Sequence, residues 1–153
     1  MLMKLFYLLH VLATVVWVGG MFFAHFVLRP IAVAQLPPPQ RLPFWVGIFG
    51  RFFPWVWACV VALILTGQAL IVQMGGMGAV GVHAHVMATI GYIMAAIFAY
   101  IYFVPYAALK KAVAAQDWPA GGAAQDRIRK LVVTNLALGL LNIVLVFLIP
   151  ALS

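Results

Sequence analysis

The sequence predicts an all-α integral membrane protein, a single bundle of four transmembrane helices. Composition is the first reason: of 153 residues 67% are apolar and only 7% charged, where a soluble domain carries about 25% charged residues. Periodic breaks are the second. Four apolar runs, near 3–28, 52–73, 82–107 and 130–150, each reach the roughly 20 residues that a bilayer crossing requires. The third is where the charge sits. The net charge of +7 is gathered at the ends of the apolar runs, as at membrane boundaries; it forms no patch for nucleic acid, which is excluded as a partner.

The first run, Leu5 to Leu28, exceeds the roughly 7–15 residues of a signal-peptide core and is expected to stay as a helix. The connection 29–51 holds Arg29, Arg41, Arg51 and the breaker Pro37-Pro38-Pro39. Residues 74–81 form a short, Gly-rich, uncharged turn. The third connection, 108–129, holds Lys110, Lys111, Arg127 and Arg129, with Lys130 just beyond. Those two connections thus border eight basic residues against Lys4 on the other side. The positive-inside rule makes them cytoplasmic and both termini periplasmic. Trp45, Trp55 and Trp57 lie where an aromatic belt at the inner boundary is expected.

One pattern occurs twice. His10, Thr14 and Trp17 recur as His85, Thr89 and Tyr92, and a proline follows each histidine by 20 residues, Pro30 and Pro105. Steps of i, i+4 and i+7 share a helix face, so each set is a polar stripe inside an apolar helix. The chain reads as two parallel helical-hairpin repeats, which put both histidines at similar depth near the periplasmic side.

A histidine inside a bilayer points to function. Two imidazoles from facing helices suit haem b, with His10 and His85 as axial ligands and Thr14, Thr89, Trp17 and Tyr92 shaping the pocket. Small residues, Ala13, Gly19 and Gly20 against Ala84, Ala88 and Gly91, leave room for a macrocycle. Such a protein would exchange electrons with a quinone, as a quinone-linked oxidoreductase. Its partners are then membrane lipid and quinone, with a homo-oligomer left open. The alternative ligand is copper, held by His10, His83 and His85 with the softer Met74, Met77 and Met87. The bland alternative is helix–helix hydrogen bonding of the histidines to Thr14, Thr89, Asn135 or Asn142. Successive helical residues turn about 100°, so His83 and His85 cannot chelate one ion together from a helix. His25 falls near the inner face, either as an interfacial residue or in the lining of a quinone or proton-entry site. The only cysteine, Cys59, excludes an intrachain disulfide and a CxxCH haem attachment; it reads as a small buried hydrophobe. The absence of glutamate and the placement of both aspartates, Asp117 and Asp126, in a polar connection leave no membrane carboxylate for proton coupling.

The runs LLHVLATVVWVGGMFFAHFVLRP, RFFPWVW, DWPAGG and DRIRKLVVTNLALGLL resemble small members of the CopD family of bacterial inner-membrane proteins. That resemblance implies copper resistance or copper uptake. The opening His-x6-Trp-x-Gly is also similar to the bacterial J-type protoporphyrinogen oxidase, a four-helix haem b membrane protein thought to pass electrons to quinone. It implies a haem histidine at His10 and another at His83 or His85. The lysine that the oxidase has two residues after the latter is replaced here by His85 or Met87.

Overall fold

The computed structural model describes residues 1–152, with side chains through Ile149. It is all helical, in four long spans: Leu2–Gln35, Pro38–Gln73, Val82–Ala114 and Trp118–Leu152. Each contains a stretch apolar enough to cross a membrane. At about 1.5 Å per residue, spans of 33 to 36 residues reach about 50 Å, well beyond the ~30 Å hydrocarbon core.

The excess length corrects the expected connections. Residues 29–51 and 108–129 are not loops: helix runs through both, and only Leu36–Pro37 and Ala115–Asp117 separate the spans. Hydropathy marks the part of a helix that lipid surrounds and is blind to an amphipathic continuation. That continuation is legible in the burial. Leu42, Trp45, Phe49, Phe53, Val56 and Val60 are buried at steps of three and four residues, the interval that keeps one helix face inward. Tyr106 and Leu109 of the third span and Ala124 and Ile128 of the fourth meet them.

Prolines punctuate this end. Leu36, which precedes Pro37, is extended, as a residue before proline prefers, and Pro38 then opens the second span at a position that has no use for an N–H. Pro30 stays inside the first span, behind a π-helical turn at Ala24–Leu28; the wider turn accommodates a ring that would otherwise press on the preceding turn's carbonyl. Its counterpart Pro105 interrupts the third span at Val104. Asp117 accepts a bond from the Ala120 amide at 3.0 Å and caps the fourth span. Arg41 donates to the Leu36 carbonyl at 3.2 Å, covering an acceptor at the end of the first. At the opposite end Gly75 and Gly76, with φ of +100° and +89°, close the second span in the left-handed region that glycine enters without strain.

The first span packs chiefly on the second and the third chiefly on the fourth. The first and third spans, expected to face one another, lie across the bundle. In the half away from the basic connections, a cavity stands between them.

Candidate functional site

The cavity has a volume of about 400 Å³ and all four spans contribute to its wall. Most of the wall is aliphatic. Four polar side chains interrupt the apolar surface beside Thr14: His10, Gln68, Tyr92 and Asn142. His10, Thr14 and Trp17 share one helix face and all line it, as does Tyr92.

His10 is held by a residue that no sequence pattern singles out. Its Nδ1 lies 2.8 Å from Thr66 Oγ1, and Thr66 Oγ1 lies 2.6 Å from the Ala62 carbonyl one turn back. A carbonyl only accepts, so the hydroxyl proton goes to Ala62. Thr66 is then left to accept, and His10 must carry its proton on Nδ1. Nε2 is therefore the nitrogen with a free lone pair, on a ring that lines the cavity. Fixing one ring nitrogen by a hydrogen bond is how proteins orient a metal-binding imidazole. Gly67 lies against the ring: a Cβ there would sit 3.4 Å from His10 Cε1, in ordinary contact.

Asn142 supplies a second acceptor. Its Nδ2 donates to the Met87 carbonyl at 3.3 Å, while its Oδ1 is buried and has no partner. Gln68 donates to the Tyr92 hydroxyl at 2.6 Å, tying the second span to the third. Thr14 and Thr89 bond back to the carbonyls of His10 and His85, at 2.9 and 2.8 Å. Both hydroxyl protons are thereby turned to their own helices.

His85 is not brought to His10. It is exposed, as is Thr89, and neither lines the cavity. Ala88, Gly91 and Ala95 face the cavity instead, and at about 100° per residue their stripe is turned roughly 60–120° from His85. The polar stripe and the inward stripe of this helix are different faces; Tyr92 sits on the border and reaches both, 46% exposed. Of the small residues expected to open a slot, Ala88 and Gly91 do so. Ala13 is buried outside the wall, and Gly20 is closed by the Phe52 ring.

The copper donors expected at the periplasmic side divide likewise. Met87 lines the cavity, joined by Met94. Met74 and Met77 are exposed on the connection at the cavity end, and His83 is half-buried beside Gly81. Among the described residues no three His, Cys, Asp or Glu side chains converge on a metal position. His25 is half-buried in the π-helical turn, its ring edge-on to Phe26 at 4.8 Å. Cys59 is buried and unpaired. The tryptophan belt is corrected: only Trp55 is exposed, whereas Trp45 is buried and Trp57 is half-buried against Phe98.

No curated protein and no solved structure matches the chain significantly. The model of the family described as CopD, copper resistance protein D, matches residues 46–149. That match takes in the cavity walls of the second, third and fourth spans, while His10 stands on the span before it. Four membrane-competent helices and a family match over more than half its length place this chain in the CopD family of multi-pass membrane proteins.

Proposed function

We propose that this protein binds copper within the membrane, as the monovalent ion, and passes it into or across the bilayer as cargo. The observation that carries the reading is the lone pair left on His10. An imidazole nitrogen and the orphaned Asn142 oxygen both accept, and among the described residues none donates to either. Two acceptors call for a cation. A quinone would present carbonyl oxygens, which are acceptors too and would leave the imidazole nitrogen and the Asn142 oxygen without a partner. The thioethers of Met87 and Met94 in the same wall suit soft, monovalent copper, and the family's name supports the same metal. Exposed Met74 and Met77 add thioethers on the connection that precedes the third span.

The size and apolar lining of the cavity favour a second reading, a haem b held by His10 in a protein that exchanges electrons with quinone. The residues present do not supply the second axial imidazole, since His85 is turned away.

Titration of the full-length protein in mild detergent with Cu(I), against a competing chelator, separates the two. Wild type is expected to take up copper, and His10→Ala to bind it at least tenfold more weakly, the scale on which orienting interactions alone alter metal sites. A red preparation with a Soret band lost in His10→Ala would replace copper with haem. Unchanged copper binding in His10→Ala would remove His10 from the site.

A further inference from the structure

The cavity has a rim that is also lipid-facing surface. Val11 and Val15 of the first span and Ile143 and Phe147 of the fourth line its wall, yet all four are exposed, Val15 by 62% and Phe147 by 76%. Each pair is spaced i, i+4 and makes a ridge along one helix face. A side chain that is both wall and surface stands at an opening, so the seam between these two spans is a mouth. Nothing polar fastens it. The second and third spans are latched beside the cavity by Gln68 and Tyr92 at 2.6 Å. His10 is tied to the second span and Asn142 to the third, and among the described residues no hydrogen bond joins the first span to the fourth.

An ion leaves most of this space unfilled. A water takes about 30 Å³ of the liquid, and a bare cation no more, against about 400 Å³ for the cavity. Most of the wall is aliphatic, and an apolar cavity stays dry and takes up hydrocarbon. The medium outside the mouth is itself hydrocarbon. Lys4 supplies an anchor for the other end of a lipid. It is exposed and stands seven residues before Val11, on the same helix face and about 10 Å nearer the helix end. A headgroup phosphate there gains a charge-assisted hydrogen bond while the chain below it reaches the mouth.

We infer that the seam between the first and fourth spans is a lateral portal through which one acyl chain of a membrane phospholipid enters the cavity, its phosphate held at Lys4. The lipid site does not depend on what His10 binds. With copper at His10, the chain fills the remaining space and keeps water from the ion.

The test is native mass spectrometry of the full-length protein, loaded in phosphatidylglycerol nanodiscs and released into mild detergent, with Cu(I) binding measured on the same samples. Wild type is expected to retain one phospholipid per chain. Gly91→Leu fills the cavity where a Cβ meets nothing within 4 Å, and Val15→Phe narrows the mouth. Each should weaken lipid retention about tenfold, and melting temperatures report whether the bundle is intact. Lys4→Gln should retain less lipid than wild type. Wild-type retention in folded Gly91→Leu would overturn the site, in folded Val15→Phe the portal, and in Lys4→Gln the anchor. A wild type that carries haem or quinone instead, or no lipid, overturns all three. Retained phospholipid without copper binding leaves the lipid site standing and removes the copper reading; copper binding without lipid does the reverse.

Discussion

The two halves of the bundle are built from the same four helices and solve opposite problems. In the basic half, rings fill the interior. Phe49 stacks on Phe53 at 4.9 Å and on Trp45 at 5.3 Å, and Phe53 meets Tyr106 and Phe98 edge-on at 5.0 and 5.4 Å. In the other half Val, Leu, Ile, Ala and Gly make up most of the wall, and a cavity of about 400 Å³ remains. The lesson is about side-chain volume at fixed helix spacing. Where four helices stand apart, large rings close the gap, and small residues leave it open for something else. The polar residues divide accordingly. Both acids serve helix ends and surfaces at the basic end, Asp117 as a cap and Asp126 paired with Arg129 and Lys130 at 2.6 and 2.9 Å. The orphaned Asn142 oxygen and the oriented imidazole lie at the cavity.

The sharpest way to break the contrast is to hollow out the filled half. Phe53 touches four other rings, those of Phe49, Phe98, Tyr102 and Tyr106. Phe53→Ala is expected to destabilise the protein by about 3–5 kcal/mol, read as a fall in melting temperature in detergent. A shift no larger than that of an exposed control such as Phe23→Ala would show that the aromatic stack is not what holds this half together.

Removing the constraint on His10 should have an intermediate effect on stability and a specific one on binding. In Thr66→Val the His10 N–H loses its acceptor, which costs about 1–3 kcal/mol; copper affinity should fall about tenfold. Thr66→Ser retains the hydroxyl and should behave as wild type. Nitrogen NMR of the imidazole would show the Nδ1–H tautomer in wild type and Ser, and a mixture in Val. If Val and wild type share one tautomer, Thr66 does not set it.

Filling the open half should do the reverse of hollowing the closed one. Gly91 lines the cavity, and a Cβ there meets nothing within 4 Å. Gly91→Leu is therefore expected to keep stability within about 1 kcal/mol, gaining helix propensity over glycine, while abolishing copper uptake. Uptake at the wild-type rate would mean that the cavity is not on the route. The smallest effect belongs to the surface of the filled half, where Lys110 Nζ lies 4.7 Å from the Tyr106 ring centroid. Lys110→Met should cost no more than about 1 kcal/mol, and a larger loss would show this edge to be part of the core.

The division between what the residues announce and what the fold decides runs through single helices. Membrane class and helix number follow from apolar run length, because lipid forces every buried backbone polar group into a helix. His10 with Thr14 and Trp17 was legible for the same reason, since i, i+4 and i+7 share a face in any helix. Which face turns inward is another matter. In the third span the sequence offered a polar stripe, His85 and Thr89, and a small-residue stripe, Ala88 and Gly91, with no means to choose between them. In an apolar environment burial of greasy surface does not fix a helix's rotation; close packing and hydrogen bonds to neighbours do. Those depend on partners distant in the chain: Met87 and Met94 carbonyls taken by Asn142 and Asn135, Tyr92 taken by Gln68. Thr66 shows the same limit, being one threonine in an apolar run until the first two spans come together. The sequence by itself determined the four crossings and their basic ends, and it offered two histidines, His10 and His85, on equal terms. Tertiary packing alone decided which nitrogen of His10 stays free and which groups share its cavity, because both are settled by contacts between helices that no local pattern encodes.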